Sequence, residues 1–371
     1  MWPADLSMNY YQPNKKGETV DPLSQALLGG VVAHAAAGRK LGLRAAGWGA
    51  LAGAFPDVDV AFGLFADDIA QLQLHRGITH SLFFGPVVGS LAGWWFWRRD
   101  QLQAEPGPLW SWLAVFVLAL LSHPLLDACT PYGTQLLAPF SDARFAWHAV
   151  PIIEPLYTAI LLTGIFLLRY ARRFGWLVSL LTLVLSSEYL LWGWTLNQQA
   201  IALAERQLAR DGVFDAQVYS FPTFFQMPLR RVVAINERQI YVGFITLDQA
   251  CDIAWEVQPR LEHPAIDALR NTRAGKVFHW FASGMVAEQV RRTEHGFVAQ
   301  MADLRYGKSS DASRGMWGVR GGFDSDAKAI GEAGLYYGDM SLSVDDVVAV
   351  WQTAYPGEAG RCGGITAIVG T

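Results

Sequence analysis

The apolar positions are unevenly spread along the chain. Up to about residue 198 they gather into runs at 23–38, 41–55 with a continuation at 60–65, 81–97, 109–128, 152–168 and 174–196. A bilayer-crossing helix needs about 20 apolar residues, within a range of roughly 17–25. Several runs stand at or below that minimum, so their ends are expected to be buried in protein or to line a wet cavity. Trp94, Trp95, Trp97, Trp110, Trp112 and Trp176 crowd the run ends, where membrane helices carry their aromatic belt. The pattern predicts an all-α polytopic membrane bundle of about six short helices over residues 21–198, behind a polar tail at 1–20.

Past residue 199 the period changes. Residues 199–211 read as a helix leaving the membrane. RRVVAIN and RQIYVGFITL are rich in β-branched and aromatic residues and predict strands. EHPAIDALRN predicts a short helix and GFVAQMADLRYG another strand, while the Gly-, Ser- and Asp-rich stretch 307–340 predicts loop. The expected product is a small soluble α+β domain over 199–371.

Composition agrees with a lipid-facing first half. Charged residues are 17% of the chain, below the quarter expected of a soluble protein, and hydrophobic residues reach 52%. A net charge of −4 leaves no electrostatic footprint for nucleic acid. The three cysteines form no CxxC pair; Cys251 and Cys362 could pair in an oxidising compartment, but their distance apart in sequence is no argument for a disulfide. Leu23–Ala37 has the form of a signal peptide, but Asp21 and Gln25 at its start and five later apolar runs favour an uncleaved first helix.

Basic residues set the expected orientation. Arg39, Lys40 and Arg44 lie in the first connection, Arg98 and Arg99 in the third, and Arg169, Arg172 and Arg173 in the fifth. The second and fourth hold only Arg76 and Arg144. The positive-inside rule makes the odd connections cytoplasmic and places both termini outside, although Lys15 and Lys16 would then have to cross. In a Gram-negative inner membrane the second half would be periplasmic.

On that topology the scarce ionisable residues of the first half converge. Asp21 opens helix 1, Asp57 and Asp59 interrupt helix 2, His75 and His80 precede helix 3, and His123 and Asp127 close helix 4, all on the outer face. Intramembrane ionisable groups cost on the order of 2.5–3.5 kcal/mol each, which marks them as functional candidates. His123 and Asp127, four apart, share a helix face. Pro56 breaks the helix before the alternately projecting Asp57 and Asp59. His/carboxylate chemistry without thiolates suits a divalent ion such as zinc, manganese or iron. Each residue alone would be an interfacial side chain or a solvated cap, whereas seven from four helices predict a metal site.

Other histidines and carboxylates rank lower. His34 is expected to be a packing residue, and His263, His279 and His295 to lie on the surface. Glu188 stands open between a carboxylate behind a ligand and a cavity wall. His148 and Glu154 flank the fourth connection and are lesser candidates for the same pocket.

DPLSQALLGG, AFPDVD, HRGITHSLFFGP and SHPLLDACTPYGTQLLAPF resemble the signature blocks of the YdjM-like family of membrane proteins, regarded as membrane-bound metal-dependent hydrolases. The resemblance covers about residues 20–160 and implies Asp57, Asp59, His75, His80, His123 and Asp127 as metal ligands. The first block departs from the family's Asp-x-x-Thr-His: Ser24 and Gln25 stand there, so either one ligand is missing or Asp21 takes that corner.

A hydrolase built this way would use the metal for water activation, His80 and Asp127 in the reacting shell, and Arg76 to hold an anionic group such as phosphate. A lipid or lipid-linked phosphoester at the membrane face is the expected substrate. Three other classes compete. A metal-independent lipid phosphatase shares only the His123-x3-Asp127 spacing. A transporter or metal-permeation protein would place such residues on both sides of the midplane. A non-catalytic membrane anchor would use the metal structurally.

Overall fold

The computed structural model describes residues 21–171, 173–247, 252–312, 314–338 and 344–355. Lys15, Lys16, the tail at 1–20 and the Cys251–Cys362 pairing lie outside the described residues. A helical N-terminal region is followed by two four-stranded antiparallel sheets.

The helical region contains α1 (Pro22–Leu41), α2 (Leu43–Ala54), a 3-10 segment (Phe55–Leu64), α3 (Asp68–Leu74), a 3-10 turn (Ile78–His80), α4 (Phe84–Asp100), α5 (Leu109–Ala128), α6 (Pro155–Leu168) and α7 (Gly175–Arg210). Six of these, all but α3, fall on the six apolar runs. Among the described residues two helices, α5 and α7, are long and apolar enough to cross a membrane, and α6 is apolar but only 14 residues long. The short α3 was not foreseen.

Small residues set how closely the helices approach. A Cβ at Gly29 of α1 would strike the Gly49 carbonyl of α2, and one at Gly53 would strike the Gln25 carbonyl. Gly85, Gly89 and Gly93 repeat every four residues along α4, each against α5 at Leu121, Val117 and Leu113. Stripes of this kind bring helix backbones together where no hydrophobic drive separates helix from lipid. On the outside of α7, Leu177, Leu180, Leu181, Val184 and Leu185 are exposed, an apolar surface suited to lipid.

The three basic connections meet at one end of the bundle. Arg44 pairs with buried Asp100, which also accepts hydrogen bonds from the Gly107 amide and the Trp112 indole. The Arg39 guanidinium lies 4.2 Å over Trp176, and Arg98 and Arg99 cover Trp94 and Trp95. His34 donates to or accepts from Ser179 Oγ at 2.7 Å and is a packing residue.

The other end carries the sheets. α7 runs 36 residues, about 54 Å at 1.5 Å per residue, so it outruns a hydrocarbon core of about 30 Å. Its last turns present Ala200, Ala204 and Leu208 to the first sheet, at Val232, Ile245, Ala234 and Tyr241. That sheet has the order β1 (Gln217–Pro222), β2 (Leu229–Ile235), β3 (Gln239–Thr246), β4 (Glu256–Pro259). The second has the order β5 (Val286–Thr293), β6 (Gly296–Asp303), β7 (Trp317–Phe323), β8 (Gly334–Tyr337). Phe221, Val233 and Val242 of the first pack on Ala287 and Ala302 of the second.

The expected strands at RRVVAIN, RQIYVGFITL and GFVAQMADLRYG are β2, β3 and β6, and EHPAIDALRN holds α8 (Pro264–Asn271). The stretch expected to be loop, 307–340, instead contains β7 and β8. Glycine misleads there: a Cβ at Gly318 would strike the Met301 carbonyl across the β6–β7 pair, so the strand needs glycine for close approach. α9 (Arg273–Phe281) follows α8, and α10 (Val344–Ala354) follows the sheets.

The second half sits on the connections opposite the basic end. Ile69 and Leu72 of α3 and Tyr132 join one core with Ile266, Phe278, Phe281 and Trp317. Buried Arg305 pairs with Asp303 at 2.7 Å and donates to the Pro131 and Tyr132 carbonyls, both at 3.1 Å. Arg230 of β2, fully buried, donates to Ser220, Asn197 and the His148 and Ala149 carbonyls. With no acid beside it, burial lowers its pKa to about 9.

Candidate metal centre

Asp57, His80, His123 and Asp127 bring one ligand atom each to a common point, all within 4.8 Å of one another. His80 Nε2 lies 3.0 Å from His123 Nε2, 3.2 Å from Asp127 Oδ2 and 3.4 Å from Asp57 Oδ1. His123 Nε2 lies 3.4 Å from Asp57 Oδ1 and 3.5 Å from Asp127 Oδ2. A tetrahedral shell with bonds of about 2.0–2.1 Å has donor–donor edges of about 3.3 Å, which the five edges made by the two imidazoles approach.

Local structure explains each position. His123 and Asp127 sit one turn apart near the end of α5. Pro56 opens the 3-10 segment that carries Asp57 off the end of α2. His80 ends a 3-10 turn, held by its own Thr79 and by Asp59. The Gly29–Gly53 approach of α1 and α2 leaves the Gly53 carbonyl 2.5 Å from His123 Nδ1.

Those outer contacts decide which ring nitrogens are free. A carbonyl only accepts, so His123 Nδ1 must carry the proton, and Nε2 presents its lone pair to the cluster. His80 Nδ1 faces Asp59 Oδ2 at 3.2 Å, which selects the same tautomer. Two lone pairs 3.0 Å apart repel unless a cation stands between them. Both Asp57 oxygens and Asp127 Oδ2 are buried without a hydrogen bond, as carboxylate oxygens reserved for a metal would be. Two carboxylates and two neutral imidazoles balance one divalent ion, so the donor set fits a transition metal.

Two expected ligands stand one layer out. Asp59 accepts from His75 Nδ1 at 2.9 Å, the Arg76 amide at 3.0 Å and Thr79 Oγ1 at 2.9 Å, besides facing His80. His75, the C-cap of α3, is committed to Asp59 and packs edge-on to Tyr132. Such partners fix the orientation of metal-bound imidazoles.

Asp21 stands apart from the cluster. It caps α1, accepting from the Ser24 amide and hydroxyl and from Thr158. The corner it was expected to take is filled indirectly, because Gln25 Nε2 donates to Asp127 Oδ1 at 2.9 Å. Gln25 thus replaces an imidazole by a hydrogen bond onto a ligand. Glu188 is exposed on α7, outside the cluster. His279 and His295 are exposed as expected, and His263 caps α8.

Arg76 joins the cluster to a pocket. Its Nε lies 3.2 Å from Asp127 Oδ2, its Nη1 donates to Thr130 Oγ1 at 3.0 Å, and its guanidinium lies 4.6 Å over Tyr132. It is 2% exposed and has φ 58°, a left-handed backbone that a non-glycine residue adopts only when its surroundings impose it. Asp59 on its amide and Gln135 on its carbonyl impose it. A small cavity of about 20 Å³, room for about one water, lies between Arg76, Asp127, Gln25, Asp21, Glu154 and Tyr157. Glu154 was a lesser candidate and lies on this wall, whereas His148 lies under Arg230. Thr79, Thr130 and the Gly53 carbonyl were missed; Thr79 sits inside the HRGITHS block, but nothing in the sequence singles out a carbonyl.

The chain is 38% identical over 101 residues to inner membrane protein YbcI of Escherichia coli, covering 26% of this chain and 56% of that protein. It is 29% identical over 104 residues to the uncharacterized protein YfhP of Bacillus subtilis, covering 27% of this chain and 29% of that one. The chain therefore spans little more than half the length of the first relative and under a third of the second. No solved structure matches it. The sequence model of the YdjM inner membrane protein family matches residues 20–200, the stretch holding the whole cluster.

Proposed function

We propose that this chain is a polytopic inner-membrane hydrolase, dependent on a divalent metal, that cleaves a lipid or lipid-linked phosphoester at the membrane face. The reading rests on one observation: four freed donor atoms from Asp57, His80, His123 and Asp127 converge at tetrahedral spacing beside a pocket walled by Arg76. A bound divalent ion would supply a Lewis acid for a phosphoryl oxygen and lower the pKa of a water. Zinc is the first choice for such a shell, with manganese and iron as alternatives.

The chain's own groups divide the remaining work. Gln25 turns Asp127 so that Oδ2 faces the cluster, and Asp59 holds His75, His80 and the Arg76 backbone in register. Arg76 offers a charge-bearing fork at the pocket wall to a phosphate or other anion. Placement at one end of the helices favours an enzyme over a permeation path, which would put ligands near the midplane. The segregation of Arg39, Arg44, Arg98 and Arg99 to the opposite end supports a cytoplasmic basic end and a periplasmic second half. The test is metal analysis of the purified full chain, with a phosphoesterase screen of wild type and His80→Ala. Metal at about one equivalent and hydrolysis, both lost in His80→Ala, would bear the proposal out; metal without hydrolysis across phosphoester, ester and amide panels would remove it.

A further inference from the structure

The segments that hold the metal ligands turn another side outward, and that side is apolar. Asp57 and Asp59 point into the protein, whereas Phe55, Val58 and Val60 of the same 3-10 segment are exposed. In the 3-10 turn that ends at His80, Ile78 is exposed while Thr79 and His80 are buried. Phe83, the N-cap of α4, packs edge-on to Phe140 at 5.0 Å, and Phe55 stacks on Phe84 at 6.4 Å, so these segments share one surface. Among the described residues no charged side chain is exposed at 55–65, 77–97 or 133–140.

The collar has an edge. Phe65 and Phe140 are 91% and 79% exposed, and two residues after each stands an exposed aspartate, Asp67 or Asp142. In the other direction the apolar surface continues from Phe83 to exposed Val87 and Leu91, one face of α4, and from Phe55 to exposed Leu51 of α2. Helix lengths give the depth. From Arg98 at the basic end to Phe84, α4 rises about 21 Å, and α5 rises about as far from Leu109 to His123. With the basic end at one surface of a core about 30 Å thick, both points lie roughly 9 Å short of the other surface, and tilt would leave them deeper. Trp192 and Trp194, exposed on α7 about 26–29 Å from Gly175, stand at that far surface. In lipid, backbone polar groups must find partners within the protein. The Leu82 amide donates to the Leu136 carbonyl and the Phe140 amide to the Leu137 carbonyl, both at 2.9 Å.

We propose that this collar is a lipid-contact surface: Phe55, Val58, Val60, Ile78, Phe83 and Phe140 meet the acyl chains of the leaflet away from the basic end. The metal centre then lies beneath the membrane surface, below the level of Asp67 and Asp142. A contiguous apolar patch of this kind marks an interaction surface, and its depth and its continuity with α4 select lipid over a protein partner. The inference rests on the membrane placement in the reading above and not on hydrolysis. Joined to the phosphoester reading, it narrows the substrate to an ester whose chain stays in the leaflet.

Photocrosslinking of the full chain tests it. A benzophenone amino acid is placed singly at Val58, Ile78 or Phe140, at Leu185 on the outside of α7, or at Phe214 beyond the end of α7, all of them exposed side chains. Each protein is irradiated in vesicles of phosphatidylethanolamine and phosphatidylglycerol, and the adducts are identified by mass spectrometry. Lipid adducts are expected at Val58, Ile78 and Phe140 at the yield of Leu185, and none at Phe214. Lipid adducts at Leu185 alone, or crosslinks from Val58 and Ile78 to protein in place of lipid, would overturn the inference. Lipid adducts at no position would overturn the membrane placement with it. A chain that gives the expected adducts and hydrolyses no ester would keep the collar and remove the hydrolase, whereas hydrolysis without them would do the reverse.

Discussion

Gln25 Nε2 donates to Asp127 Oδ1 at 2.9 Å, so the two oxygens of one carboxylate are divided between a helix neighbour and the metal cluster. Gln25 also reaches the His123 carbonyl at 3.4 Å, tying α1 to the ligand-bearing turn of α5. Removing it should free Asp127 to rotate toward Arg76. Gln25→Leu is expected to weaken metal binding 10–100-fold while leaving the chain folded, as loss of a partner behind a ligand usually does. Competition with a chromophoric chelator measures it, and an unchanged affinity would show that Asp127 is held by Arg76 alone.

Arg76 and His80 should separate in their effects. His80→Ala removes a donor and is expected to lose metal and hydrolysis together. Arg76→Lys keeps a charge beside Asp127 but loses the planar fork and its contact with Thr130. It is expected to keep at least most of the metal while kcat/KM on a phosphoester falls at least tenfold. Metal analysis alongside kinetics distinguishes the two, and parallel loss in both variants would make Arg76 a structural residue only.

Stability should depend on pH through His148. Burial and the charges of Arg305 and Arg230 lower its pKa from 6.5 to about 3. The folded chain keeps this imidazole neutral down to about pH 3, whereas the unfolded chain protonates it below about 6.5. Its contribution is present above pH 6.5 and is lost as the pH falls toward 3. His148→Asn suits the left-handed backbone at φ 51° and should flatten this acid limb. Thermal melts from pH 7 to 4 test it; identical slopes in both proteins would count against the assignment.

Arg305 should govern the attachment of the second half. Arg305→Leu strands fully buried Asp303 and frees the Pro131 and Tyr132 carbonyls. Loss of one partner from a buried pair costs about 3–5 kcal/mol. Faster amide exchange is expected in residues 130–133 and in α3. Replacing Asp303 as well, in Arg305→Leu/Asp303→Leu, should recover part of the loss. Exchange unaltered by the single change would mean that the apolar contacts of Tyr132 and Phe281 suffice.

The legible features are those carried by local spacing. The four-residue step from His123 to Asp127 and the proline before Asp57 place three ligands on one side before any fold is known. What spacing cannot tell is rank within the site. Asp57 and Asp59 project alternately in either reading, and only the 3-10 geometry after α2 sends Asp57 to the cluster and Asp59 to His75. Asp21 followed by Pro22 and Ser24 is equally a metal corner or an N-cap, and the cap is what forms. Arg230 and Arg305 left no trace in the sequence, because their carbonyl partners lie 81 to 174 residues away. Six apolar runs gave six helices, but among the described residues only α5 and α7 have the length and apolarity of full spans: α2, α4 and α6 run 12, 17 and 14 residues, and α1 is diluted by glycine, alanine and polar residues.

The contact from Arg305 to the Tyr132 carbonyl spans 173 residues of chain, and this sets a clock on assembly. At a synthesis rate of about 5–20 residues per second, roughly 9–35 s pass between emergence of the two partners. During that interval the ligands of α5 exist while the strap behind them does not. The cluster's own residues, Asp57 to Asp127, therefore precede the strap, which closes on the Pro131–Tyr132 turn only once β6 has been made.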